Sequence, residues 1–333
     1  MHITRRQWLI CAATATATAA AAAGPAARAQ EPASAPWPTR PLRLVAGGAG
    51  GVTDIRARWV SQRLALALGQ PFVVENVAAA GGNLAAVDVA RSAPDGHTVL
   101  FMHQGIAAFN PHLYARPGYD MLTDLPAVTR FGTGSLLLAV PASLPVRSVA
   151  ELLALARDKP GSLNYGSPGS GTPPHLASAL LCRLAGIEVA HIPYKGGGAM
   201  MTAMLGGQLS WTIEGLTAQL PQVRSGALRA LAVTGRWRTP TLPDVPTLAE
   251  AGVAGYEFEG WTGFAVPAAT PAPIVARRHA EMARIAEWPE AVEWFAASGA
   301  EAGVLTPAAM AEYVRTEHAR WGQFIRLVGM KTE

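Results

Sequence analysis

The sequence predicts an α/β protein with two lobes facing a cleft, and three observations carry that prediction. Short apolar runs alternate with stretches whose apolar residues recur at helical spacing, the pattern of a largely parallel sheet covered by helices. A strand–glycine loop–helix unit at residues 42–68 returns at residues 163–186, and the C-terminal stretch adds one more strand and further helices. Finally, a chain of 333 residues that is 50% hydrophobic and only 15% charged carries apolar mass enough for two cores.

The elements follow in order. "LRLVAG" (42–47) reads as a short buried strand, and "TDIRARWVSQRLALAL" (53–68) as an amphipathic helix. "FVVENV" is a second strand and "NLAAVDVARSA" a second helix, closed by the turn Pro94-Asp95-Gly96. "TVLFM" is a third strand. "SLLLAVP" opens a new apolar strand, followed by the helix "SVAELLALARD", for which Ser148 is placed as the cap. "LNYGS" and "VAHIP" are strands, each leading through a glycine-rich turn into a helix; "LSWTIEG" and "LRALAVTG" supply two more. "PTLPDVPTLAEAG" is a proline-punctuated crossing segment. "GWTGFAVP" is a last strand, with helices from Pro273 to the end.

Residues 1–29 read as an export signal. Arg5 and Arg6 precede Trp8-Leu9, an Ala/Thr-rich apolar stretch follows, and Ala27-Arg28-Ala29 is a small-x-small cleavage site. The paired arginines suit the twin-arginine route as well as the ordinary secretory one. Residues 30–37 then form a Pro/Ala-rich linker. Beyond the cleavage site Cys182 is the sole cysteine, so an intramolecular disulfide is excluded. Three of the 27 basic residues leave with the signal, so 24 face 23 acidic ones. With three lysines and no basic cluster, the chain lacks a nucleic-acid footprint.

The loop "AGGAGGVTD" (46–54) raises the first chemical question. Gly47, Gly48, Gly50 and Gly51 free backbone N–H groups at a helix N-terminus, where unpaired donors and the helix dipole favour an anion. The loop has no Gly-Lys-Ser/Thr ending, so it is not a Walker loop; Thr53 stands where a dinucleotide fingerprint needs its third glycine. Asp54, early in the first turn, either caps the helix or holds the loop.

A second loop, "YGSPGSGTPPHL" (165–176), offers the hydroxyls of Ser167, Ser170 and Thr172 around Gly169, with Thr172 at the N-cap position and Pro173 at the first helical one. Neither serine sits in Gly-x-Ser-x-Gly, so a nucleophile elbow is absent, and His175 reads as a packed or capping residue. In "HIPYKGGGAMM" (191–201), Tyr194 and Lys195 flank a glycine turn; Lys195 either meets a carboxylate or is simply solvated. Glu214 falls at a strand end, as a ligand acceptor or a plain surface acid. The histidines are scattered and show no metal-ligand spacing. The residues offer holding rather than turnover: no catalytic set, no metal and no cofactor.

The blocks "PLRLVAGGAGGVTDIRAR", "ALGQPFVVENVAAAGGNLAAVDVARSAPDGHTVL", "NPHLY", "LNYGSPGSGTPPHLA", "HIPYKGGGAMMTAMLGGQL", "SGALRALAVTG", "LPDVPTLAEAG" and "FAVPAATPAPIV" follow one another from Pro38 to the C-terminal region. Together they resemble the Bug, or TctC-like, extracytoplasmic substrate-binding receptors of tripartite tricarboxylate transporters. The resemblance implies a periplasmic, monomeric receptor with a two-lobed, Venus-flytrap fold of the periplasmic-binding-protein kind. Residues 38–137 with 258–333 would form lobe 1 and residues 138–257 lobe 2. It implies a small carboxylate gripped between loops 46–54 and 167–172 by backbone amides and hydroxyls, and delivered to membrane permease subunits. His103, Tyr194 and Glu214 would line the cleft and tune selectivity. Rival readings are an orphan receptor that signals to a sensor partner, or a periplasmic hydrolase or decarboxylase on the same cleft.

The departures from the family pattern are specific. The family's first loop usually runs Pro-Phe-Pro-x-Gly-Gly; here it runs Ala46-Gly47-Gly48-Ala49-Gly50-Gly51. Losing two prolines and a phenylalanine implies a more mobile loop and a wider pocket, suited to a bulkier, even aromatic, acid. Glu214-Gly215 stands where Asp-Asn is more usual, and His103-Gln104 where small hydroxyl residues are common.

Overall fold

Strand β4 (Ala127–Pro141) is the spine on which the rest of the sheet is hung. The structure, a computed structural model, describes residues 37–331; the signal expected at 1–29 and the linker before Trp37 lie outside the described residues. From Pro38 onward the chain is one compact unit.

In chain order the elements are β1 (Leu42–Ala46), α1 (Val52–Leu68), β2 (Phe72–Asn76), α2 (Asn83–Ala90), β3 (Thr98–His103), α3 (Asn110–Leu113), β4, α4 (Val149–Asp158), β5 (Asn164–Ser167), α5 (Pro173–Ala185), β6 (Ala190–Pro193), α6 (Gly197–Leu205), β7 (Trp211–Gly215), α7 (Leu216–Arg224), β8 (Leu228–Val233), β9 (Glu259–Ala265), α8 (Ala272–Ala286), α9 (Pro289–Ala297) and α10 (Pro307–Val328). The strands order as β2-β1-β3-β9-β4-β7-β5-β6, with β8 also paired to β4. β1 is parallel to β2 and β3, and β5 is parallel to β6 and β7. Between these two parallel groups, β9 and β4 run antiparallel to their neighbours. Residues 127–135 of β4 pair with β9, and residues 136–141 pair with β7 and β8.

The apolar run in β4 is explained by burial on both faces. Leu136, Leu138 and Val140 enter a core with Tyr165, Leu176, Trp211 and Phe258. The alternate Leu137 and Ala139 enter another with Met200, Met204, Leu216 and Val233. A third core packs Val45, Leu100 and Met102 against Ile106, Trp261, Met310 and Val314. Helix α10 therefore reaches two cores, since its later residues Trp321 and Ile325 belong with Tyr165 and Trp211.

Local signals behave as their chemistry dictates. Ser148 caps α4 by accepting from the Glu151 N–H at 3.1 Å. Thr172 occupies the N-cap of α5 with Pro173 at the first helical position, but it does not make the capping bond: its hydroxyl donates to the Gly169 carbonyl at 2.7 Å. The competing carbonyl lies inside the same loop, and the hydroxyl turns to it. Among the described residues no helix is long and apolar enough to cross a membrane.

Candidate functional site

The carboxyl ends of β1, β2 and β3 and those of β5, β6 and β7 converge on one cavity of about 400 Å³. That placement follows the general rule for open α/β sheets, in which ligands lie beyond the carboxyl ends of parallel strands. Of the expected residues, Gly47, Gly48, Gly51, Thr53, His103, Gly169, Ser170, Thr172, Tyr194 and Glu214 line it, as does Lys195. Gly50, Asp54 and Ser167 do not.

Those three act within the loops. The Asp54 carboxylate accepts from the Gly50 N–H at 3.0 Å, from the Asn76 amide at 2.9 Å and from Arg58 at 2.9 Å. Burial would raise its pKa, but the Gly50, Asn76 and Arg58 bonds outweigh burial and hold it below the usual carboxylate range. Asn76 also donates to the Gly47 carbonyl at 2.9 Å, so β2 ties down both ends of the first loop.

Ser167 is fully buried and its hydroxyl contacts His191 Nε2 at 2.7 Å and donates to the Gly169 carbonyl at 3.0 Å. A serine–histidine contact invites a nucleophilic reading, but Ser167 does not reach the cavity. Burial also pushes the His191 pKa down to about 4, which makes it a poor base at neutral pH. His191 instead belongs to a column of rings beneath the second loop: His175 stacks on it at 4.1 Å between centroids, Tyr165 at 4.9 Å, and Trp211 on Tyr165 at 4.9 Å. His175 accepts the Gly171 N–H at 3.1 Å, a packed role rather than a catalytic one.

The cavity's charge comes from few groups. His103 is kept neutral by burial, its pKa lowered to about 4. Lys195 is exposed at the rim. Glu214, at the end of β7, is 3% exposed; it accepts from the Gly215 N–H at 2.9 Å, and burial, opposed by that bond and by Arg56, pushes its pKa up to about 7. Arg56 is the residue that the sequence reading passed over. It lines the cavity at 5% exposure and donates to the Thr262 hydroxyl at 3.2 Å. Burial lowers its pKa to about 10, with Glu214 opposing, so it remains cationic. A signal was available: on a helix, residue 56 shares a face with 52 and 53, so a cleft-facing Thr53 carries Arg56 with it. Trp261 and Thr262 had no such signal, because only the pairing of β9 with β3 and β4 brings them beneath the cavity.

Among the described residues no cluster of three or more His, Cys, Asp or Glu could hold a metal. The arrangement can bind an anion through loop N–H groups, hydroxyls and one buried guanidinium.

Comparison with known proteins agrees with this geometry. Residues 56–330 match the family profile described as "Tripartite tricarboxylate transporter family receptor" (TctC). Among solved structures, the R. palustris protein Rpa4515 with adipate is 38% identical, with a TM-score of 0.86 over 89% of this chain and 99% of that one. The periplasmic binding protein BugD is 31% identical, with a TM-score of 0.85 over 89% and 100%. MatC from Rhodopseudomonas palustris with bound malate is 31% identical, with a TM-score of 0.82 over 86% and 99%.

Proposed function

Since the chain belongs to the tripartite tricarboxylate transporter receptor family, whose members are periplasmic solute-binding receptors and not enzymes, we propose that it captures a small carboxylate in the cavity between its glycine loops and hands it to a membrane permease. The observation that carries this reading is Arg56, a buried guanidinium lining the same cavity as the glycine loops with their backbone amides and hydroxyls. A buried cation without an ion partner in contact is costly, and a carboxylate supplies that partner. The first loop (Gly47, Gly48, Gly51, Thr53) grips from one side and the second (Gly169, Ser170, Thr172) from the other, with His103, Tyr194 and Glu214 setting selectivity. Residues 38–137 with 258–333 and residues 138–257 act as the two lobes, joined through β4 and the approach to β9. Closure of the lobes is the message to the permease, and the receptor acts as a monomer. A cavity of about 400 Å³ leaves room for a bulky or aromatic acid.

A thermal-shift screen of the signal-free protein against mono-, di- and tricarboxylates, aliphatic and aromatic, tests the reading. A ligand at a hundredfold over its dissociation constant adds about 2.7 kcal/mol of stability. A shift by one carboxylate class is the expected result. If only neutral or cationic compounds shift the protein, the loops are not an acid grip.

A further inference from the structure

Arg56 and Glu214 present an opposition that a simple acid grip does not need. Both line the cavity, at 5% and 3% exposure. They feel one another's charge, yet no hydrogen bond joins them. Thr262 holds Arg56 in place: its hydroxyl receives the Arg56 Nη1 hydrogen bond and donates to the Phe131 carbonyl at 2.6 Å. That leaves Arg56 Nε without a partner among the described residues. On the other side, Glu214 Oε1 takes the Gly215 N–H and Oε2 has no partner among the described residues. A buried guanidinium and a buried carboxyl that burial leaves only about half ionised at neutral pH, each with an unmet atom and neither touching the other, is an expensive arrangement for a protein to keep empty.

Resting on the carboxylate-receptor reading, we infer that Arg56 and Glu214 form a two-signed subsite for an amino acid head group, the carboxylate meeting Arg56 and the ammonium meeting Glu214. A ligand carrying only carboxylates satisfies Arg56 but either faces an ionised Glu214 or requires it to hold a proton. An amino-carboxylate brings both signs already bonded to one carbon and answers both unmet groups. The remaining cavity, walled partly by Val52, Leu136, Pro168 and Trp261, takes the side chain.

The test is a set of matched acids that differ only by the amine: glutamate against glutarate, aspartate against succinate, and phenylalanine against 3-phenylpropanoate, each titrated calorimetrically into the signal-free protein. In at least one pair the amino form should bind tenfold or more tighter. The isosteric Glu214→Gln variant should erase that gap, with its unliganded melting temperature recorded as a check on folding. The wild-type comparison stands even if the variant does not fold. Amine-free acids that bind as tightly as their amino partners overturn the two-signed subsite and leave the carboxylate receptor intact. If no acid of either kind binds, in this series or in the wider carboxylate screen, the receptor reading falls and this inference falls with it.

Discussion

A methyl group placed on Gly197 would come within 2.5 Å of the Gly51 Cα, so these two glycines meet backbone to backbone. The seam continues on either side. A Cβ on Gly48 would lie 2.6 Å from the Gly196 Cα, and the Gly198 N–H donates to the Ala49 carbonyl at 3.1 Å. The small residues of loop 46–51 thus allow the first and third glycine loops to touch directly, a contact that bulkier loop residues would prevent.

Gly197→Ala isolates that seam. Gly197 is the first residue of α6 and its backbone is not left-handed, so the backbone conformation suits alanine, but the added methyl would meet the Gly51 backbone and the two loops must part. The unliganded variant should lose about 1–3 kcal/mol in urea unfolding, the range for overpacking a close contact. Ligand affinity should fall by roughly tenfold or more, because Gly48 and Gly51 on one side of the seam and Tyr194 and Lys195 on the other line the cavity and would be displaced. Urea unfolding, together with calorimetry of any ligand found in the screen, checks both halves. Unchanged stability and affinity would show that the seam can open at no cost.

The brace beneath the first loop gives a stability prediction. Asp54→Ala strips acceptors from the Gly50 N–H, the Asn76 amide and Arg58 together. It should cost about 2–3 kcal/mol in urea unfolding, the range for leaving buried donors unmet. It should also weaken ligand binding, since a loop that is not held must be ordered at the moment of capture. Asp54→Asn keeps one acceptor oxygen and should cost about half as much. A loss under about 0.5 kcal/mol for the alanine variant would show that the brace contributes little.

Acid should destabilise the fold through its histidines. Burial holds His103 and His191 at about 4 and, with help from the neighbouring His191 ring, His175 at about 3, against an ordinary value of 6.5. The unfolded chain takes up protons between pH 6.5 and 4 that the folded chain refuses. The stability these rings contribute is therefore complete above pH 6.5 and is lost as pH falls. Glu214 works the other way: its folded value of about 7 lies above the usual 4.5, so its contribution is complete below pH 4.5 and lost as pH rises to 7. Three histidines against one carboxyl leave a net loss, on the order of 3 kcal/mol between pH 7 and 5. Urea titrations at those two pH values measure it, and equal or greater stability at pH 5 would contradict the argument.

Much of this was legible in the sequence because the signals are local. Strand–loop–helix junctions are fixed by apolar period and glycine placement, and both loops lie where that grammar puts them. The cap at Ser148 is a short-range hydrogen bond and could be read directly. Arg56 was less visible: it needed the helix face traced one turn past Thr53. Ser167 and Asp54 show the converse limit. Each is a polar residue in a glycine loop and reads as a ligand group, but its partners, His191 and Asn76, arrive from other strands. Trp261 and Thr262 come under the cavity through pairings more than a hundred residues apart in the chain, which no local pattern encodes.

The position of β9 and the reach of α10 also make the two halves of the sheet depend on one another. β9 is the strand between β3 and β4, and the core around Val45, Leu100 and Met102 is completed by Trp261, Met310 and Val314. The core around Trp211 is completed by Trp321 and Ile325. Both cores therefore draw on one helix that follows their other members along the chain, and α10 works as a shared bolt: loosening it would open both cores at once.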